Sequence, residues 1–254
     1  MQIISSSRVS IITPCYNAEA FIRETHASVL DQALDDWEWL LADDCSTDGT
    51  YKIIAAFEKD PRIRVFRTPR NMGAGYARNL CIQNATGRFL AFLDADDLWK
   101  PEKLLRQKNF MLEKNAAISH VSYTFITENR EERNTIHVTP LLDLDLYMRR
   151  TEIPGSTAMI DRTLFPRVRF PVTRSREDTL FWVSTFRKGN RSYGLDEPLV
   201  FYRSSRTQVT SVGNIPRMVW HTFLIFMRTG RYIGHGKALF YFLCHFINAC
   251  KKRL

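Results

Sequence analysis

A chain of 254 residues, 44% hydrophobic and 25% charged, has the composition of an ordinary globular protein, which excludes disordered and collagen-like chains. At this length about three quarters of the unfolded surface is buried on folding, so the core needs no disulfide or structural metal. The net charge of +9 is unevenly placed: residues 1–200 are neutral, and nine basic residues with no acidic one follow residue 200.

A β-branched run at residues 9–13, ending at Pro14, predicts a first strand. Residues 18–32 have helical spacing, with Phe21, Ile22, Val29 and Leu30 on one side. A second strand at 37–42 stops at Asp43-Asp44, a helix follows at 50–59, and a third strand at 62–67. Residues 74–85 read as a helix, Gly87 as its left-handed cap, and 88–93 as a fourth strand. Strands alternating with helices predict an α/β fold with a mostly parallel sheet covered on both faces. Ligands of such sheets bind beyond the carboxyl ends of the strands, which points to residues 14–17, 43–50 and 94–97. Further along, the spacing predicts a helix at 101–114, a strand at 118–126 and a polar surface loop at 127–140. Residues 141–150 fit helix or strand equally, 156–160 read as a strand and 177–187 as a helix. Five cysteines, an odd number without a Cys-x-x-Cys, argue for reduced thiols rather than a disulfide framework or zinc ribbon. The first eight residues lack an apolar secretory region, and no uncharged apolar run reaches the ~18–20 residues that span a bilayer. A cytoplasmic location is therefore expected.

Four segments carry chemistry. The apolar run at 90–93 leads into Asp94, Asp96 and Asp97. Asp94 and Asp96 are two apart and point the same way on an extended backbone, where their repulsion invites a hard divalent cation, Mg²⁺ or Mn²⁺. The alternative is a solvated loop in which Asp97 caps a helix. The second strand ends in Asp43 and Asp44, followed by Ser46, Thr47, Asp48 and Thr50. Asp44 can accept hydrogen bonds from a base or ribose, while Asp48 and Thr50 serve as turn and cap residues. Gly73 and Gly75 open the helix that carries Arg78, which can reach an anionic pyrophosphate or simply be exposed. Glu177 and Asp178 open another helix, where acids also complement the macrodipole.

Together these segments resemble the inverting glycosyltransferase family 2, whose members have the nucleotide-diphospho-sugar transferase (GT-A) fold. The resemblance covers residues 8–203 and rests on the run 9–17, the Asp43–Thr50 run, Gly73–Asn79, Asp94-x-Asp96, Glu177-Asp178 and Tyr202-Arg203. It implies a nucleotide-sugar donor, a UDP-sugar first among them, with Thr13 and Tyr16 lining the nucleotide pocket and Asp44 reading the base. It further implies Asp94 at the ribose or metal, Asp96 as metal ligand, and Asp178 as general base, with Glu177 as the other candidate. The Gln-x-x-Arg-Trp motif of processive members is missing, so transfer of one sugar, to a lipid-linked glycan of surface polysaccharide synthesis, is expected. A nucleotidyltransferase and a non-catalytic sugar-nucleotide-binding scaffold are the rival readings.

This divides the chain into a catalytic domain at 1–205 and a helical, basic extension at 206–254. Ten of the chain's 31 aromatic residues lie after residue 200. Residues 238–250 form an uncharged run followed by Lys251-Lys252-Arg253; as a helix it covers ~20 Å, too short to span but able to lie in a membrane interface. Packing on the catalytic domain is the alternative. The tail has no nucleic-acid motif, so a peripheral site on the inner face of the cytoplasmic membrane is expected, and no nucleic-acid partner.

Overall fold

The computed structural model describes residues 5–150, 153–173, 176–203, 223, 224, 227 and 235–251. Strand β1 (Ser5–Cys15) lies between β2 (Trp37–Asp43) and β4 (Gly87–Phe92), parallel to both, and β3 (Ile63–Arg67) runs parallel outside β2. The sheet continues through β9 (Met159–Asp161), antiparallel to both β4 and β6 (Ile118–Ile126). Beyond β6 comes β10 (Ser192–Arg203), parallel to it, and then β5 (Leu98–Trp99), antiparallel to β10. Two short strands complete it, β7 (Glu132–Ile136) on β6 and β8 (Leu141–Leu142) on β10.

Strand alternation divides the core between the two faces. Val9, Ile11, Trp39, Leu41 and Phe89 point to one side, where α1 (Ile22–Leu30), α2 (Thr50–Ala55) and α4 (Lys103–Lys114) cover them. Ile12, Leu40, Ala42, Leu90 and Phe92 point to the other, against α3 (Ala74–Asn84), α5 (Leu144–Arg150) and α6 (Glu177–Arg187). All seven residues of β2 are buried, which is why it reads as an almost unbroken apolar run. Ahead of the terminal Asp43, the exception is Glu38. Its carboxylate accepts Ser10 Oγ at 2.6 Å, Thr86 Oγ1 at 2.8 Å and Arg64 Nη2 at 2.8 Å, tying β1, β3 and the entry to β4 together.

Several expectations need correction. Gly87 is no helix cap but the first residue of β4. A Cβ there would lie 2.7 Å from the Arg8 carbonyl oxygen and 2.8 Å from the Ser10 nitrogen, so the glycine serves a close strand approach. Asp97 caps no helix; it is buried and leads into β5. Residues 127–140 contain β7 as well as loop, and 141–150 hold both a short strand and α5. Residues 155–157 form a 3₁₀ turn before β9.

The last helix, α7 (His235–Lys251), packs on α5. Ala238 and Tyr241 are buried, and the Tyr241 hydroxyl donates to Asp145. The Arg149 guanidinium lies 5.5 Å from the Phe240 ring centroid. Leu239, Phe240 and Leu243 remain about half exposed on the same helix. No helix among the described residues is long and apolar enough to cross a membrane. Residues 204–222 of the expected helical extension, and Lys252 and Arg253 of its terminal basic cluster, lie outside the described residues.

Candidate active site at the carboxyl edge of the sheet

The parallel registers align the strand ends: Cys15 lies opposite Asp43, and Ile12 opposite Phe92. The loops after β1, β2 and β4 therefore share one edge. Three of the five non-glycine residues with positive φ among the described residues border it: Asn17 (50°), Cys45 (61°) and Arg176 (60°). Such conformations cost about 1–3 kcal/mol each and gather where backbone geometry serves a site.

Thr13 is fully buried, and its hydroxyl accepts the Trp39 indole N–H at 2.8 Å. Its side chain is thus committed to the core rather than to a pocket wall. Tyr16, by contrast, is 50% exposed at the edge. Asp43 and Asp44 diverge. Asp43 is buried and accepts Arg67 Nε at 3.1 Å and the Ser46 N–H. Asp44 Oδ1 accepts Thr68 Oγ1 at 2.9 Å and Met72 N–H at 2.8 Å, and Oδ2 accepts Gly73 N–H at 2.7 Å. Three of about four acceptor positions are filled by the protein, so Asp44 organises the 68–73 loop and keeps one position for another donor. Asp48 accepts Thr50 N–H at 3.0 Å, the structural role its spacing suggests.

Asp94 and Asp96 are half-buried, whereas Asp97 is buried. Asp97 Oδ1 accepts the Arg203 N–H at 2.8 Å, and Oδ2 accepts the Ser156 hydroxyl. Burial and the adjacent Asp96 and Asp94 charges push the Asp97 carboxyl well above the usual range. Ser156 Oγ also accepts the Asp94 N–H at 3.0 Å. Arg203, with its side chain fully buried, donates from Nε to the Asp96 carbonyl at 2.7 Å and from Nη2 to Glu24 at 2.8 Å. Ser156 and Arg203 thus clamp the acidic loop from two sides. The sequence offers no signal for Ser156; Arg203 ends an apolar run, which marks a strand end but not its partners.

Arg78 lies on α3 with its side chain 6% exposed. Nη2 donates to Asp94 Oδ1 at 2.7 Å, and Nη1 to Glu177 Oε1 at 2.9 Å. Burial opposes its charge, but Asp94 and Glu177 outweigh that and hold the proton firmly. The guanidinium is neither exposed nor turned outward as an empty fork. Asp178, one residue further along α6, accepts its neighbour's N–H, Thr179, at 2.7 Å. The fold therefore joins three expected residues, Arg78, Asp94 and Glu177, in direct contact.

Asp94 and Asp96 are hard oxygen donors of the kind Mg²⁺ and Mn²⁺ take. Among the described residues no group of three or more His, Cys, Asp or Glu stands where it could hold a metal ion. Two carboxylates completed by substrate phosphates and water are the usual arrangement for these ions, so the donor set fits.

The family model for glycosyl transferase family 2 matches residues 10–174. The chain belongs to glycosyltransferase family 2. Its relatives include a Bacillus subtilis protein named as a teichuronic acid biosynthesis glycosyltransferase, 39% identical over 248 residues and 97% of each chain. A second is the Escherichia coli UDP-Glc:α-D-GlcNAc-diphosphoundecaprenol β-1,3-glucosyltransferase WfgD, 35% identical over 72% of each chain. Among solved structures, residues 1–349 of Staphylococcus aureus TarS with UDP-GlcNAc superpose with a TM-score of 0.70 at 22% identity, covering 88% of this chain and 66% of that one. A Pyrobaculum calidifontis mannosyltransferase with GDP-Man and Mn²⁺ superposes with a TM-score of 0.64 at 21% identity, covering 91% of this chain and 68% of that one. The glycosyltransferase has the GT-A fold, and relatives of this family 2 member serve surface polysaccharide synthesis.

Proposed function

We propose that this glycosyltransferase moves one sugar, with inversion, from a UDP-sugar to a hydroxyl of a lipid-linked glycan, using Mg²⁺ or Mn²⁺. The observation that carries the reading is the contact of Arg78 with both Asp94 at the strand end and Glu177 at the start of α6. One guanidinium ties the strand-end carboxylate, read as donor side, to the one at the start of α6, read as acceptor side. The UDP-glucose and undecaprenol-linked acceptor in the name of the E. coli relative support the substrate class. The Mn²⁺ beside a nucleotide sugar in the archaeal neighbour supports the metal.

In this reading Tyr16 offers its exposed ring to the base, and Asp44 uses its remaining acceptor position there. Thr13 contributes backbone rather than hydroxyl. Asp94 and Asp96 would hold the metal, which when bound would supply positive charge against that gathering on the departing diphosphate. Asp178 takes the acceptor proton as the hydroxyl attacks from the opposite side of the sugar. Glu177, engaged by Arg78, is the weaker candidate for that role. The exposed Leu239, Phe240 and Leu243 and the basic residues after Phe201 support a seat on the inner face of the cytoplasmic membrane, beside the acceptor.

The test is a screen of UDP-sugars for binding with Mg²⁺, with Mn²⁺ and in excess EDTA, on the wild type and Asp96→Ala. Binding and turnover that need the ion and fail in Asp96→Ala are expected. Full activity in EDTA contradicts the metal assignment.

A further inference from the structure

Arg78 stands between segments far apart in the chain, with Asp94 16 positions and Glu177 99 positions away. One face of its guanidinium packs 5.3 Å from the Phe170 ring centroid. The adjacent Asn79 fixes Phe170 by accepting its N–H and donating to its carbonyl, both at 2.8 Å. The planar fork is therefore held on a face and at both ends. Gly75 lets the bridge close. A Cβ at Gly75 would lie 2.4 Å from the Pro171 carbonyl oxygen and 3.3 Å from the Glu177 side chain. Two of the five Arg78 N–H donors are spent on Asp94 and Glu177 and the side chain is only 6% exposed, so little of the fork is left to reach a diphosphate.

We infer that Arg78 is a positioning residue for transfer: by bridging Asp94 to Glu177 it fixes the start of α6, and with it Asp178, against the donor side, and it does not grip the donor's diphosphate. The inference rests on the reading of Asp178 as the base.

The experiment compares full-length Arg78→Met, Arg78→Lys, Glu177→Gln and the Arg78→Met/Glu177→Gln double variant in two measurements. One is the calorimetric affinity for UDP with Mg²⁺; the other is kcat and KM with the UDP-sugar that the donor screen selects. Arg78→Met and Glu177→Gln should each lower kcat about 100-fold, the scale of a small misplacement of reacting groups, with UDP affinity unchanged at saturating Mg²⁺, where the ion itself holds Asp94 in place. The double variant should lose little more than either single one, because the two residues act as a unit. Lysine at 78 keeps the charge without the fork and should recover part of kcat. If Arg78→Met fails to fold, Glu177→Gln, which leaves the Arg78–Asp94 pair intact, carries the test by the same split. A loss of UDP affinity of about tenfold or more in Arg78→Met or Arg78→Lys that persists at saturating Mg²⁺, as expected for a lost charge-assisted contact to the diphosphate, would overturn the inference. So would wild-type kcat in Glu177→Gln. Normal turnover in Asp178→Asn would instead break the base assignment, whatever the Arg78 variants do.

Discussion

At the scale of single residues, the acidic positions were legible because carboxylates at the ends of apolar strands have few purely structural uses. Asp94, Asp96, Asp44, Glu177 and Asp178 all lie at strand ends or a helix start. What each side chain touches was not legible, since the partners are distant in sequence. Arg78 reads as exposed or phosphate-facing, yet it is buried against Glu177. Thr13 reads as a pocket residue, yet its hydroxyl holds Trp39. Two outcomes follow at this scale. Asp178→Asn should lose several orders of magnitude in kcat while UDP affinity stays near wild type, since a base acts on the acceptor proton and not on the donor. Ser156→Ala removes a donor to Asp97 and an acceptor for Asp94 N–H, leaving the buried Asp97 carboxylate with the Arg203 N–H. Urea unfolding should show a loss of about 1–3 kcal/mol, the cost of underpairing a buried polar group.

At the scale of elements, the first four strands and the helices between them follow from alternation and helical spacing, because local pattern and global fold agree there. The second half was less legible. β10 carries Asp196, Glu197 and Pro198 mid-strand, with register shifts on both sides of Pro198, so its period is broken where tertiary pairing holds it. β5 and β8 are two residues each, too short for any periodicity. Glu38 is the polar exception that locks the parallel strands. Burial pushes its carboxyl up, but bonds from Ser10 and Thr86 and the Arg64 charge outweigh that and hold it below the ordinary carboxylate range. A depressed folded value contributes stability that is present above the unfolded carboxylate pKa, about 4.3, and is lost as pH falls through the folded value. Glu38→Gln should therefore cost about 2 kcal/mol at neutral pH, and the gap from wild type should narrow below pH 4 in acid unfolding curves. Gly87→Ala should destabilise as well, since its Cβ would meet backbone atoms of β1 at 2.7–2.8 Å. A shift of its thermal midpoint by several degrees, about 1–2 kcal/mol, is expected in a melting experiment.

At the scale of the whole molecule, a neutral catalytic body carries a basic end whose last helix does two things. One side of α7 packs on α5 through Ala238 and Tyr241, and another presents Leu239, Phe240 and Leu243. The sequence posed packing and membrane contact as alternatives; a helix with two apolar sides accommodates both. Flotation with anionic liposomes at low salt, and release as ionic strength rises, is the expected behaviour of a basic, aromatic surface. Leu239→Ser/Leu243→Ser, which spares the α5 contact, should weaken flotation without lowering the melting temperature; unchanged flotation would assign α7 to packing alone. Whether the carboxyl edge of this sheet transfers a sugar from a nucleotide diphosphate with inversion is decided by the products. The full chain, a UDP-sugar, Mn²⁺ and a diphosphoundecaprenol-linked saccharide should yield one molecule of UDP per new glycosidic bond, with the anomeric configuration reversed. Release of pyrophosphate, or retention of the donor's configuration, would contradict it.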